Sequence, residues 1–307
     1  MRCPNLSDLP SPPPVRTGWP WSEASPRSSD AMPNGSPWPR ISIVTPSYNQ
    51  GCFLEETIRS VLLQGYPNLE YIIMDGGSTD GSVEIIHKYE PWLSYVHTGP
   101  DGGQSAAIGE GFRHATGEIL AWINSDDRYL PGAFARVARF FAAHPRVAFG
   151  SGDINHVDAE GILIKLGASV RPAPFLSANI PRHRWWQQGA FWRRAAYEAV
   201  GGMDASLHFC MDLDLFIRLT RAYPSRRIPG PPLADFRTHP LAKSMTMKPV
   251  QRAEGAALLR KYGNPKLLRY KRYLSYLWLL WCVPACLREG INRCFRWFAR
   301  RGQRLGR

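Results

Sequence analysis

No apolar run stands near the N-terminus, so nothing indicates a secretory signal peptide. No stretch reaches the ~20 apolar residues that cross a bilayer. The apolar stretch of the tail, Tyr273 to Leu287, is fifteen residues long and contains Pro284, which kinks a helix. The six cysteines, at 3, 52, 210, 282, 286 and 294, form no C-x-x-C pair and no zinc spacing with the histidines. That scatter fits a reducing compartment, where thiols stay free. A Gly-x-Gly-x-x-Gly turn after the first strand is absent, which excludes the dinucleotide fingerprint of a dehydrogenase. Acids are scarce at 25 against 38 Lys and Arg, for a net charge of +13. The excess is local: residues 266–307 hold eleven Lys or Arg and one acid, Glu289, and so carry ten of those thirteen charges. The body is close to neutral and shows no recognition motif, which argues against nucleic acid as a partner.

What is present divides into three parts. Residues 1–39 contain ten of the 27 prolines, many serines and little apolar periodicity, and read as a disordered leader or a start codon placed too early. From Arg40, strand and helix patterns alternate. Strands are predicted at Ile41 to Thr45, Leu69 to Met74, Leu93 to His97 and 119–123. Helical faces are predicted at 53–62, 83–89 and 103–115. Such alternation implies an α/β fold with a mostly parallel sheet and helices on both faces. The second half is less regular, with helices predicted at 193–200, 212–222 and 249–262 and a strand at 233–238.

Three polar clusters follow three of these strands: Thr45-Pro46-Ser47-Tyr48-Asn49, Asp75-Gly76-Gly77-Ser78, and Asp126-Asp127. In a parallel sheet all three fall on the carboxyl edge, where ligands bind. Tyr48 offers an aromatic face, Asp75 an acceptor for a base or ribose, and the acidic pair a seat for a hard divalent cation that neutralises a diphosphate. Taken singly, each also reads as turn chemistry or a helix cap. Asp101-Gly102-Gly103-Gln104-Ser105 opens a helix whose N–H groups suit an anion, or is a plain capped turn.

The segments RISIVTPSYNQGCFLEETIRSVLLQGYPNLEYIIMDGGSTDGS, DGGQSAAIGEGFRHATGEILAWINSDDRYLPGAF and QQGAFWRRAAYEAVGGMDASLHFCMDLDLFIRL together resemble the family 2 glycosyltransferases of GT-A fold, over about residues 40–245. The resemblance implies a nucleotide-binding half and an acceptor half. It implies inverting transfer of a sugar from a UDP-, GDP- or dTDP-linked donor, with Mg²⁺ or Mn²⁺. It assigns the donor base to Thr45, Pro46, Tyr48, Asn49 and Asp75, and Gln104, Asp126, Gln188 and Lys243 are further candidates for contacts to the donor. It assigns the metal to Asp126, Asp127 and His239, and the catalytic base to Asp212. The chain departs from the family pattern at Gly76, Asn124 and Met211, where acids are common, and at Gly109, where Asn is common. Gln187 and Gln188 suit sugar hydroxyls. Phe191 and Trp192 suit sugar faces or the core, and the core is the stronger reading for at least one of them.

The tail, 266–307, has Trp278, Trp281 and several tyrosines between basic flanks, the composition of a segment lying on an anionic membrane; a helix docked on the enzyme is the alternative. These features together predict a domain over 40–265 and a peripheral enzyme on the cytoplasmic face of the cell membrane. It would act on a glycan or polyprenyl-linked acceptor in surface polysaccharide synthesis. A nucleotidyltransferase would need a glycine-rich, basic triphosphate loop after the first strand, which Thr45 to Asn49 is not. A non-catalytic sugar-nucleotide-binding protein of the same fold is the second rival.

Overall fold

The computed structural model describes residues 1–169 and 185–264. The chain divides into two units, and the described residues from Met1 to Gly255 form the first. The first unit holds every described strand.

Its first half alternates as the pattern predicts: β1 (Ile41–Ser47), α1 (Gly51–Leu62), β2 (Leu69–Asp75), α2 (Ser82–Tyr89), β3 (Tyr95–Thr98), α3 (Gln104–His114), β4 (Ile119–Trp122), β5 (Arg128–Tyr129) and α4 (Ala133–Ala143). Then follow β6 (Phe149–Ser151), β7 (Ile154–Val157), β8 (Leu163–Gly167), β9 (Ala190–Arg193), α5 (Arg194–Ala199), α6 (Met211–Ala222), β10 (Ser225–Arg227), β11 (Ala234–Arg237), α7 (Lys243–Thr246) and α8 (Lys248–Tyr262). The main sheet has the order β10-β6-β9-β4-β1-β2-β3 and is parallel except for β9, which runs against both its neighbours. The chain winds from β1 outward through β2 to β3, then returns to β4 on the other side of β1. That reversal opens a crevice past the carboxyl ends of β1 and β4. A second sheet, β5-β11-β7-β8, sets β11 against the segment that follows the acidic pair.

β1 and β2 are buried at all seven positions each, as strands covered on both faces must be. Alternate residues enter different cores. Ile41, Ile43 and Ile73 pack with Leu54 and Ile58 of α1, while Val44, Ile72 and Met74 pack with Ile108 and Phe112 of α3 and Phe216 of α6. Phe191 and Trp192 are both core, on opposite faces of β9, and Trp192 meets Trp122 edge-on at 5.4 Å. Gly111 lets α3 lie close on β1, since a Cβ there would stand 2.6 Å from Val44 Cγ1.

Residues 1–39 correct the sequence reading, because they are packed against the domain rather than disordered. Cys3, Leu9, Trp21, Met32 and Trp38 are buried. The backbone N–H of Cys3 donates to Tyr66 O at 2.9 Å and that of Ser25 to Leu63 O at 2.9 Å. Arg59 of α1, fully buried, donates to the carbonyls of Pro10 (2.9 Å), Pro20 (3.1 Å) and Trp21 (3.0 Å) and to the Tyr89 hydroxyl (3.0 Å). Proline removes a backbone donor but leaves its carbonyl, so an extended Pro-rich segment offers unpaired acceptors. Low periodicity here marks a coat laid over a domain. Among the described residues no helix is long and apolar enough to cross a membrane. The tail, 266–307, lies outside the described residues.

Candidate active site

A cavity of about 630 Å³ opens at that crevice. Pro46 and Tyr48 line it from β1 and its following loop, Gly76 and Asp101 from the loops after β2 and β3, Gln104 from the start of α3, Asp126 from the loop after β4, and Lys243 from α7. Tyr48 is 63% exposed, so a face of its ring is available to a base. The Gly102-Gly103 turn, with φ of +76° and +97°, sets the first N–H groups of α3 on the same wall.

The other donor-pocket candidates sit behind this wall. Thr45 is fully buried, with its hydroxyl 3.0 Å from that of Tyr71. Asn49, at φ +51°, donates its backbone N–H to Ser78 Oγ (2.8 Å) and accepts the Thr79 N–H on Oδ1 (2.9 Å), tying the loop after β1 to that after β2. Asp75 is fully buried and engaged in its own turn: Oδ1 accepts from the N–H groups of Gly77 (3.1 Å) and Ser78 (2.8 Å), Oδ2 from Ser78 Oγ (2.7 Å). The carboxylate that does face the cavity at this end is Asp101. A Cβ added at Gly76 would stand 3.1 Å from Asp101 Oδ2, so Asp101 occupies the space a side chain at position 76 would take. The glycine at 76 was the available signal, since a missing side chain beside a ligand leaves room for another.

The acidic pair divides its labour. Asp126 faces the cavity and its Oδ2 lies 3.0 Å from His239 Nε2. Asp127 is 1% exposed and points away, accepting the Arg237 N–H (2.8 Å), Gln188 Nε2 (2.9 Å) and Asn124 Nδ2 (3.2 Å). Burial, and then the Asp126 charge, push its carboxyl well above the usual range, against those hydrogen bonds. Behind the pair lies a buried ionic network that the sequence did not reveal: Glu56 accepts from Arg237 Nη2 (2.9 Å) and from Arg128, whose Nε donates to Asp235 (2.6 Å). Gln188 is buried and off the cavity, holding Asp127.

A relay of amides joins the two sides of the site. Lys243 Nζ donates to Gln104 Oε1 (2.7 Å), and Gln104 Nε2 to Asn124 Oδ1 (2.9 Å). Burial pushes the Lys243 ammonium down, while the charges of Glu254 and Asp212 hold it up. Asp212 is therefore close enough for its charge to act on Lys243, although it does not line the cavity. It is the second residue of α6, half-buried, with Oδ1 accepting the Leu213 N–H (2.7 Å). The N-cap of α6 is Cys210, so Asp212 is not the cap. Asp214 is fully buried and takes Arg218 Nε at 2.7 Å, a structural pairing within the helix.

Among the described residues no cluster of three or more His, Cys, Asp or Glu is arranged around a metal position. At this end of the cavity the lining offers one carboxylate, Asp126, with the imidazole of His239 buried behind it at 3.0 Å. Two protein ligands suit a divalent cation that completes its shell with phosphate oxygens and water.

Residues 42–175 match the family described as glycosyl transferase family 2. The chain is 28% identical over 190 residues to the uncharacterized glycosyltransferase Rv1514c of Mycobacterium tuberculosis, covering 59% of this chain and 68% of that protein. The fold is that of Staphylococcus aureus TarS 1–349 in complex with UDP, at TM-score 0.54 and 17% identity over 72% of this chain and 64% of that one. It is also that of the mannosyltransferase PcManGT from Pyrobaculum calidifontis in complex with GDP-Man and Mn²⁺, at TM-score 0.55 and 20% identity, covering 84% and 76%.

Proposed function

Because the chain belongs to the family 2 glycosyltransferases, with the GT-A fold, we propose that it is an inverting enzyme. It moves a sugar from a nucleoside-diphosphate donor to a hydroxyl of a glycan or polyprenyl-linked acceptor in surface polysaccharide synthesis. The observation that carries this reading is the crevice itself. One cavity joins an aromatic face and a carboxylate, Tyr48 and Asp101, to Asp126 with its His239 partner and to a half-buried ammonium, Lys243. The first pair suits a nucleobase and the second group a diphosphate.

In this reading the Tyr48 ring stacks on the base and Asp101 accepts its imino N–H. Uracil, thymine and guanine carry that proton; the corresponding nitrogens of cytosine and adenine are acceptors. The solved neighbours carry UDP and GDP-Man, which both meet the condition. Lys243 and the first N–H groups of α3 hold the diphosphate. Mg²⁺ or Mn²⁺, held by Asp126 and His239, supplies neutralising charge for the leaving diphosphate when bound. Asp127 supports this from behind by fixing Arg237 and the chain that leads to His239. Asp212 takes the proton from the acceptor hydroxyl, opposite the leaving group, in a single displacement. The basic aromatic tail keeps the enzyme peripheral on the cytoplasmic side of the membrane, where a lipid-linked acceptor would lie.

Calorimetry with UDP, GDP, dTDP, CDP and ADP, each with Mn²⁺ and again with EDTA, tests the reading. The first three bind and weaken in EDTA. Equal binding of all five, or none, refutes it. Triphosphate-dependent nucleotidyl transfer in the same preparation would favour the rival chemistry.

A further inference from the structure

Three consecutive backbone N–H groups ahead of α6 converge on one acceptor. Glu254 of α8 takes the N–H of His208 on Oε1 at 2.7 Å and those of Phe209 and Cys210 on Oε2 at 2.9 and 2.8 Å. The first N–H groups of a helix and its approach have no partner within the helix. A nearby Ser, Thr, Asp or Asn normally supplies one. Here Cys210 holds the N-cap position and its side chain makes no capping bond. The acceptor instead arrives from 44 to 46 residues later in the chain. The same helix takes a second tie, from Cys210 Sγ to Gln251 O at 3.6 Å.

A carboxylate gripping three N–H groups is a strong, charge-assisted arrangement. Burial pushes the Glu254 carboxyl up, but the three N–H groups outweigh it and hold it below the ordinary carboxylate range. The turn so gripped ends two residues before Asp212. Glu254 does not line the cavity, yet its charge is the first of those holding up the Lys243 ammonium. It therefore stands behind both the phosphate-facing cation and the candidate base.

We propose that Glu254 is a positioning residue: its carboxylate fixes the turn at 208–210 so that Asp212 enters α6 directed at the acceptor hydroxyl, and it touches no substrate itself. This rests on Asp212 being the base. A purely structural anchor would lower the melting temperature and leave turnover of the folded enzyme unchanged. A positioning residue lowers turnover, because small misplacement of a reacting group is costly, up to about 10²-fold for ~1 Å.

The full-length protein is compared with Glu254→Gln, Asp212→Asn and the double variant. The readout is nucleotide release from UDP-GlcNAc or GDP-mannose with Mn²⁺, water serving as acceptor, below every variant's melting temperature. Gln keeps the length but offers one acceptor oxygen and turns an amide N–H toward a donor. We expect kcat to fall by ~10- to 10²-fold in Glu254→Gln, with KM for the donor nearly unchanged. The double variant should be no slower than Asp212→Asn alone, since nothing then remains to position. Normal kcat in Glu254→Gln, or losses that multiply in the double variant, overturns the assignment. If the wild type releases nucleotide from neither donor, that reading of the donor fails by itself. Amide hydrogen exchange then decides the clamp. Faster exchange at 208–213 in Glu254→Gln, with β1 and α3 unchanged, supports it, and unchanged protection refutes it.

Discussion

Replacing Arg59 by methionine removes the guanidinium that binds the leader to α1 while filling much of the same volume. Four hydrogen bonds disappear, three to backbone carbonyls of Pro10, Pro20 and Trp21 and one to the Tyr89 hydroxyl. A hydrogen bond from a charged donor contributes ~1.5–3 kcal/mol, so the gross loss is roughly 6–12 kcal/mol. Releasing a buried cation from its desolvation penalty returns several kcal/mol. The net expectation is a destabilisation of about 3–5 kcal/mol, the range seen when one partner of a buried charged arrangement is removed. Part of the effect should appear locally, because carbonyls left without donors are relieved if residues 1–39 lift off and meet water. Urea unfolding followed by tryptophan fluorescence measures the first quantity, and limited proteolysis under native conditions the second. The variant should unfold at lower urea and be cut within residues 1–39 while the rest of the domain resists. Arg59→Lys should fall between the two, since three tetrahedral donors cannot match a planar fork. An unchanged urea midpoint together with an equally resistant leader would refute the reasoning.

Other outcomes follow from the site and its frame. Asp126→Asn should abolish the Mn²⁺ dependence of nucleotide binding in calorimetry with little change in melting temperature. Asp127→Asn should lower the melting temperature instead, because an amide cannot accept all three donors around it. Asp212→Asn should reduce turnover by ~10²–10⁴-fold at unchanged donor affinity. Gly111→Ala forces a methyl to within 2.6 Å of Val44 Cγ1, and overpacking of this kind destabilises by ~1–3 kcal/mol, read as a lower urea midpoint. For the tail, full-length protein should co-sediment with acidic liposomes and partly dissociate in high salt, and a chain ending at Asn264 should not bind.

The half of the fold that carries the nucleotide end was legible because its strands are long, buried on both faces and separated by helices with a clear apolar stripe. β1 and β2 could be read within about two residues at each end. β6, β9 and β10 have three or four residues each, too few for a period to emerge. Phe191 and Trp192 were visible as apolar, but only the sheet shows that they face opposite cores. The acidic pair was visible too, whereas its division was not. Which of two adjacent carboxylates turns inward is settled by the Arg237 N–H, 110 residues away, and by Gln188, 61 residues away. Asp75 was legible as important and illegible in role, since a turn that consumes both its oxygens has the same local sequence as one that leaves them open. Composition misjudged the leader because it counts apolar periodicity and does not count free carbonyls.

The exchange at Gly76 and Asp101 has a consequence for how such chains are sorted. The charge at that end of the cavity is delivered from the loop after β3, while the loop after β2 contributes only space. A pattern that demands two adjacent acids after the second strand would score this chain as deficient, although the volume in question is filled by a carboxylate. Two chains can thus offer a carboxylate to the same part of a base pocket although one draws it from the loop after the second strand and the other from the loop after the third. Swapping the loop after β2 alone would then set two carboxylates in one place, where mutual repulsion would push one of them toward its neutral form. Donor preference in such chains is better compared by superposing charges than by aligning letters.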